Sequence, residues 1–328
     1  MKKKETCTHR TSIGGQAVIE GIMMRGPKEL VTAVRKPDGE IVADKKDVPK
    51  SRSNFFLKLP IIRGCVGFFD SMVLGVKSLM FSASFFELEE DEDAPAKEPG
   101  KFEAWLEKKL GNEKAITVIM YISMAISLVF GVGLFMLLPT VIVGFASDLL
   151  EPILPYGENW AHIVKTLIEG FVRIAIFIGY LALVSQMKDI KRVFMYHGAE
   201  HKAIACYEAN EELTVENVRK HSRFHPRCGT SFLLIVMVVS VLVFSFISWD
   251  NPYTRLLLRL ALLPVVAGIS YEIIKFAGRS SNIFTRAISA PGKSLQAITT
   301  REPDDSQIEV AIYALTAVMP EDKDEAKW

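Results

Sequence analysis

The sequence predicts a mainly α-helical polytopic membrane protein with about four transmembrane helices, an amphipathic or re-entrant helix and a small amino-terminal β element. The 328-residue chain is 49% hydrophobic, and four apolar runs long enough to cross a bilayer lie after position 114. The charge is nearly balanced, with 39 basic and 38 acidic side chains. This balance excludes the strong basic excess that is typical of nucleic-acid-binding proteins.

The β element is predicted in residues 1–53. Val31, Ala33 and Arg35 alternate toward a turn-forming Pro-Asp-Gly sequence, and the alternation resumes beyond it. This pattern is typical of a β-hairpin. The four cysteines of the chain are far apart and include no CxxC pair, so no disulfide framework is predicted.

Residues 54–86 are predicted to form an amphipathic or re-entrant helix that does not cross the membrane. Asp70, Lys77 and Ser84 recur every seven residues and place one polar stripe on an otherwise apolar helix. A crossing here would also export the 14 lysines and arginines of residues 1–65, against the positive-inside rule. An acidic linker and a cytosolic helix are expected in residues 87–114.

Four transmembrane helices are predicted within a membrane domain at residues 115–277. They correspond to the longest apolar runs: 116–138, 162–184, 230–249 and 256–277. Pro139 is expected to end the first span. Glu169 and Arg173 stand four residues apart in the second span, and charged side chains inside a span usually face protein or water.

The distribution of lysine and arginine predicts the orientation of these helices. The loop 185–229 carries eight of them, whereas residues 148–161 carry none. The positive-inside rule therefore predicts a multi-pass cell-membrane protein whose loop 185–229, tail 278–328 and chain termini are all cytoplasmic. In the tail, residues 308–319 fit either a strand or a helix, and a short helix is the preferred prediction because apolar side chains fall on one helical face.

The loop 185–229 contains the clearest chemical pattern of the chain. His197 and His201 are four residues apart, so on a helix both imidazoles project from one face and reach one metal ion. Glu200 completes the H-x-x-E-H order of the inverted zinc peptidases, in which the glutamate is the general base. His225 and Cys228 follow in a His-Pro-Arg-Cys sequence and are further candidate ligands of zinc or another divalent metal. The alternative is a helix whose histidines bond to carbonyls or lipid headgroups.

Three residues nearer the amino terminus are candidates for substrate binding. Arg25 and Arg63 suit a phosphate or carboxylate group, and Glu20 is also a candidate for an additional metal ligand. The alternative is that all three side chains fix local turns by hydrogen bonds.

Six motifs carry a resemblance to a known family. They are GGQAVIEGIMMRGP (14–27), IIRG (61–64), YHGAEHKAIACYE (196–208), LTVENV (213–218), HPRCGTSF (225–232) and TTREPDD (299–305). Together they resemble the YqhQ-like family of bacterial membrane proteins, which carries a domain-of-unknown-function label. The resemblance runs nearly end to end and implies a predicted metal-dependent membrane enzyme, with no substrate attached.

Three functions follow as hypotheses. The first is a zinc-dependent hydrolase at the cytosolic interface, with a membrane-associated peptide or lipid as substrate and Glu200 activating water. The second is a non-catalytic membrane protein with a structural zinc site, and the third is a transporter component. Three protein ligands would leave a position for water, whereas four would close the site. The bilayer is the expected partner, nucleic acid is not, and the oligomeric state is left open.

Overall fold

The computed structural model describes residues 10–48, 59–86, 109, 112–146, 158–246, 252–279 and 283–326. Within them the chain is mostly helical, with one antiparallel sheet near the amino terminus. The chain divides into two compact units: one comprises Met1–Glu87, Ile178–Phe244 and Leu257–Trp328, and the other comprises Leu88–Phe177 and Ser245–Leu256. All candidate site residues lie in the first unit.

The predicted β element is a four-stranded antiparallel meander. Its strands are β1 (Gly14–Val18), β2 (Gly21–Arg25), β3 (Glu29–Arg35) and β4 (Ile41–Asp47), in the order β1-β2-β3-β4. The predicted hairpin is β3–β4, in which Arg35 pairs with Ile41. Gly39 in its turn has a φ of 89°, a conformation that glycine adopts without steric cost.

Ten α-helices follow the sheet within the described residues. They are α1 (Ile62–Ala83), α2 (Asn112–Val132), α3 (Leu138–Phe145), α4 (Glu158–Val184), α5 (Lys188–Glu208), α6 (Val215–Lys220), α7 (Gly229–Ser245), α8 (Pro252–Arg279), α9 (Ile283–Thr299) and α10 (Asp305–Val318). Helix α10 confirms the short helix predicted for residues 308–319. Its start is fixed by a capping box between Asp304 and Gln307.

Four helices of the described part are long and apolar enough to cross a membrane, as expected of a multi-pass membrane protein. They are Ile62–Ala83, Tyr121–Phe145, Ile163–Val184 and Tyr253–Ala277. The number agrees with the prediction, but the set differs. Helix α1 qualifies by length and composition, whereas the predicted third span corresponds to the 17-residue α7. The end of that predicted span, 247–249, lies outside the described residues.

The prediction that Pro139 ends the first span is wrong. A π-helical turn, Gly133–Leu137, joins α2 to α3, and the helix continues to Phe145. The Leu138 amide donates to the Gly133 carbonyl, five residues back. Because this wider turn shifts the hydrogen-bond register just before Pro139, the proline falls in the first turn of α3, where a missing N–H is tolerated.

The two charges of the second predicted span form an ion pair. Arg173 Nη2 donates to Glu169 Oε1 at 3.0 Å, and the Thr140 hydroxyl donates to the same oxygen at 2.9 Å. Both charged side chains are buried. They therefore face protein, as expected for charges inside a span.

One hydrophobic core joins the sheet to α5 and α10. It includes Ile22, Met24, Val31, Tyr196, Ala199, Ala203, Ile308, Ala311 and Leu315. The segment before α10 crosses α5 closely, since the Arg301 amide donates to the Phe194 carbonyl at 2.8 Å. A Cβ at Gly198 would collide with the Arg301 carbonyl. Glycine in the HGAEH motif therefore permits the approach that brings Thr299 to His197.

Candidate metal centre

The structure brings His197, His201 and Cys228 together. Their ligand atoms, one ring nitrogen from each histidine and the cysteine sulfur, all lie within 4.8 Å of one another. The two rings project from one face of α5 with centroids 4.4 Å apart, as the i, i+4 spacing predicts. Cys228 immediately precedes α7. Imidazole and thiolate are typical zinc ligands, so this donor set fits zinc.

Backbone carbonyls orient both imidazoles. His197 Nδ1 lies 2.8 Å from the Thr299 carbonyl oxygen, and His201 Nδ1 lies 2.6 Å from the Arg223 carbonyl oxygen. A carbonyl oxygen only accepts hydrogen bonds, so each Nδ1 carries a proton, and in the neutral form of each imidazole Nε2 keeps a lone pair. Metal-bound histidines usually show this arrangement, in which the second nitrogen donates to a carbonyl or carboxylate.

The two Nε2 atoms have different surroundings. His197 Nε2 lies 3.1 Å from Cys228 Sγ. His201 Nε2 is buried and has no hydrogen-bond partner among the described residues. An unsatisfied buried polar atom costs roughly 1–3 kcal/mol. A cation bound at this nitrogen would remove that cost.

Electrostatics favour the thiolate form of Cys228. Burial alone would raise the pKa of this thiol, but the charges of His197 and His201 and a hydrogen bond from His197 lower the pKa well below its usual range. The Thr230 amide nitrogen lies 3.4 Å from the sulfur and its hydroxyl 3.1 Å away. In turn, burial lowers the pKa of His197, but the Cys228 sulfur raises it to about 9. Thiolate is the form that binds metals.

Glu200 lies beside the cluster and is held by the sheet. The side chain is buried, and the Gly15 amide donates to its Oε1 at 2.9 Å. A Cβ at Gly15 would lie 2.5 Å from the Met23 carbonyl oxygen and 3.1 Å from the Glu200 carboxyl carbon, so the lack of a side chain at Gly15 accommodates both the neighbouring strand and Glu200. Burial raises the pKa of Glu200, against the opposing charges of His201 and His197. No carboxylate oxygen of Glu200 belongs to the group of meeting donor atoms among the described residues.

His225 faces Glu208 and Arg227 instead of joining the donor group. Its Nε2 lies 3.8 Å from Glu208 Oε2 and 3.3 Å from Arg227 Nη2. Arg227 also forms an ion pair with Glu208. Burial lowers the pKa of His225 to about 4 despite its hydrogen bond to Glu208. The His225 ring is 5.5 Å from the His201 ring, so three of the four predicted ligands meet and the fourth is their neighbour.

Two of the three predicted substrate-binding residues have partners of their own. Glu20 accepts hydrogen bonds from Arg192 and, at 3.2 Å, from the Tyr196 hydroxyl. Arg63 forms a bidentate ion pair with Glu272 of α8, at 2.7 and 2.5 Å. The partners Arg192 and Glu272 are 172 and 209 residues away in the chain, so Glu20 and Arg63 join separate segments of the fold. Neither contact is the local turn of the alternative prediction.

Arg25 is placed differently from Glu20 and Arg63. It is half-buried at the end of β2 and pairs with Gly14, the neighbour of the glycine that holds Glu200. Arg25 is therefore the predicted substrate-binding residue that pairs next to Gly15, the residue that holds Glu200.

Sequence reasoning missed the residues that hold the candidate ligands in place. The amide of Gln296 in α9 accepts from the His225 N–H and donates to the His225 carbonyl, both at 2.8 Å. Thr299 and Arg223 contribute only carbonyl oxygens to the two histidines. A backbone carbonyl has no side-chain signature, and of these three residues only Thr299 lies in one of the family motifs, TTREPDD.

A second donor group lies nearby in the loop 185–229. The ligand atoms of Cys206, Glu211 and His221 also fall within 4.8 Å of one another. Here His221 Nε2 pairs with a Glu211 carboxylate oxygen at 3.1 Å. Burial raises the pKa of Cys206 to about 11, which keeps this thiol protonated at neutral pH.

Known proteins resemble the chain over most of its length. Residues 59–321 match a family described as a protein of unknown function, DUF1385. The chain is similar to the uncharacterised protein YqhQ of Bacillus subtilis (strain 168), with 36% identity over 314 residues, or 93% of this chain and 92% of that protein. No solved structure matches the chain. Neither description specifies a reaction, a substrate or a metal.

Proposed function

The chain belongs to the DUF1385 family of proteins of unknown function, and we propose that it is a metal-dependent membrane hydrolase with a zinc-type ion bound by His197, His201 and Cys228. The proposal rests mainly on the buried Nε2 of His201, which lacks a hydrogen-bond partner among the described residues. A ring nitrogen of His201 also lies within 4.8 Å of the donor atoms of His197 and Cys228. In both histidines Nδ1 donates a hydrogen bond to a backbone carbonyl oxygen. Metal-bound histidines usually have this orientation.

The number of converging ligands supports a catalytic site over a structural one. Structural zinc sites almost always have four protein ligands, whereas catalytic sites have three and an open position. His225 would be the natural fourth ligand, but its Nε2 is engaged with Glu208 and Arg227. The fourth position is then left for water or substrate.

Glu200 fits the role of general base. An ion at the cluster would supply Lewis-acid activation of a water molecule. Glu200 directly precedes His201 in α5, and the Gly15 amide donates to one oxygen of the Glu200 carboxylate. That hydrogen bond would fix the carboxylate, and the second oxygen would accept the proton of the water and return it to the leaving group.

The position of the cluster supports a substrate that is a membrane-associated peptide or lipid. Cys228 precedes the apolar helix α7, and Phe232, one turn further along α7, contacts Phe68 of α1 with ring centroids 5.7 Å apart. A substrate at the cluster would therefore approach along the membrane interface, on the side that the positive-inside rule marks as cytosolic. Arg25 would be the residue to bind an anionic headgroup or carboxylate.

A second candidate function is favoured by the 3.1 Å separation of His197 Nε2 and Cys228 Sγ. A thiolate beside a histidine that is oriented by a third group is the arrangement of cysteine nucleophiles in hydrolases. Here the third group is the Thr299 carbonyl. In this case Cys228 would attack the substrate directly and no metal would be required.

Metal analysis of detergent-purified protein, combined with activity in cells, tests both candidates. The hydrolase proposal predicts about one zinc per chain in the wild type and none in His201→Ala. Glu200→Gln should retain the metal but lose function in cells as completely as His201→Ala. Function retained by Glu200→Gln would indicate a structural site. A wild-type protein with no more zinc than His201→Ala would eliminate the metal proposal and leave the cysteine nucleophile.

A further inference from the structure

The sheet, α5 and α10 must lie on one side of the membrane, because they share one hydrophobic core. The chain therefore crosses an even number of times between β4 and α5. Three helices of sufficient length lie in that interval: Ile62–Ala83, Tyr121–Phe145 and Ile163–Val184. The sequences between them are too short or too charged to add another crossing. At least one of the three helices thus does not cross.

The last third of α1 lies on the sheet. The Thr32 hydroxyl of β3 donates to the Ser78 hydroxyl at 2.9 Å. The Ile19 amide, just beyond β1, donates to the Ser82 hydroxyl at 3.3 Å. The carboxyl-terminal end of α1 is therefore on the same side of the membrane as the sheet.

The first turn of α1 contacts α8 in a position that does not fit a crossing. A Cβ at Gly64 would lie 2.8 Å from Tyr271 Cβ, and one at Gly268 would lie 2.5 Å from the Ile61 carbonyl oxygen. Arg63 pairs with Glu272 in the same region. The sheet side of α8 is its Arg279 end, because α9 and α10 follow that end and α10 joins the core.

The distances along α8 decide between a crossing and a partial insertion. The 28 residues of α8 span about 42 Å. If α1 crossed with its last turn on the sheet, its first turn would lie near the Pro252 end of α8. The contacts instead lie between Gly268 and Glu272, only about 10–17 Å from the Arg279 end.

The two faces of α1 differ in the size of their side chains. The buried residues are small: Gly64, Gly75, Ser78 and Ser82. The large apolar residues Phe69, Met72, Val73 and Leu79 are each between 43% and 52% exposed, and three of them follow the i, i+3, i+4 spacing of one helical face. Such a stripe, on a helix that contacts the candidate span α8, suits acyl chains.

We propose that α1 enters the bilayer from the side of the sheet without crossing it, so that its apolar face contacts the acyl chains of one leaflet. Its Phe68 contact with Phe232 places it one helical turn from Cys228. Helix α1 then lies between the candidate metal centre and the acyl chains. This proposal depends on the core and on the α8 contacts and not on a bound metal, so it stands or falls separately from the proposed function.

Protease sites inserted after positions 50 and 95, on either side of α1, test the absence of a crossing. In the full-length protein in right-side-out and inside-out vesicles, both sites should be cut from the same side. A control site at position 211 should be cut from that side as well, and one near position 159 only from the other. Cleavage of sites 50 and 95 from opposite sides would overturn the proposal.

A fluorescent label tests the contact with lipid. Attached through Val73→Cys, the label should be quenched by nitroxide-bearing phospholipids and protected from aqueous iodide. The matched control is Lys45→Cys on the exposed edge of β4. A label there should be quenched by iodide and not by the nitroxide-bearing phospholipids. Quenching of the Val73→Cys label by iodide alone would show that the apolar face lies outside the bilayer and would also overturn the proposal.

Discussion

Two groups of histidine, cysteine and glutamate lie in the loop 185–229, and they differ in how their donor atoms are satisfied. At the candidate metal centre, the Nδ1 atoms of His197 and His201 bond to backbone carbonyls, and one ring nitrogen of each histidine lies within 4.8 Å of the Cys228 sulfur. In the second group, His221 pairs with Glu211, and the Cys206 thiol lies 3.6 Å from the Glu212 carbonyl oxygen. Both groups bring three donor atoms within 4.8 Å of one another, but only the candidate metal centre leaves a buried ring nitrogen without a hydrogen-bond partner among the described residues.

The largest expected effect is the loss of bound metal from one group and not from the other. His201→Ala should remove essentially all zinc, because it deletes the donor whose lone pair has no other partner. His221→Ala is the matched control and should leave the zinc content unchanged. Elemental analysis of the purified proteins measures both. Zinc lost equally from the two variants would mean that the comparison between the groups is mistaken.

Alkylation after metal removal should separate the two cysteines. With zinc bound, Cys228 should react slowly with iodoacetamide at neutral pH, and a chelator should make it reactive because its pKa lies well below the usual range. Cys206, with a pKa of about 11, is roughly one part in ten thousand thiolate at pH 7. Its labelling should therefore stay slow with or without chelator and rise as the pH approaches 11.

Peptide mass spectrometry distinguishes the two thiols in one sample. Cys228→Ser removes the chelator-dependent signal and provides the control for assignment. Equal labelling of Cys206 and Cys228 after chelation would contradict the electrostatic difference between the groups.

A smaller effect is expected from the residue that anchors the segment before Cys228. Gln296→Met removes both hydrogen bonds to the His225 backbone and should weaken zinc binding by about 10–100-fold, as is typical of residues that orient metal ligands. Gln307→Met is a matched control, because Gln307 is equally buried but caps α10. Competition with a chromophoric chelator measures the affinities. Equal zinc affinities in the two variants would show that Gln296 does not orient the zinc ligands.

Much of the fold near the site could be predicted from local sequence patterns. Apolar spacing was sufficient for α10, and turn chemistry at Gly39 was sufficient for the β3–β4 hairpin, because both signals lie within a few residues. Helix α5 was assumed only as the element that would bring His197 and His201 onto one face. Strands β1 and β2 were not predicted individually, since their pairing depends on a β3 surface that only the assembled sheet provides. Pro139 was misread because the π-helical turn that accommodates it has no clear signature in the sequence.

For the site, the sequence by itself determined the donor types and the helical spacing that puts His197 and His201 on one face. It left open whether His225 joins Cys228 as a ligand, because both residue types bind zinc and the two stand three residues apart. The tertiary structure decided between them, because the turn before α7 directs Cys228 to His197 and His225 to Glu208. The groups that orient the site are distant in the chain: Thr299 is 102 residues from His197, and Gly15 is 185 residues from Glu200. Burial and hydrogen bonding to backbone atoms arise only when these segments pack into one core, so neither can be read from the spacing of side chains.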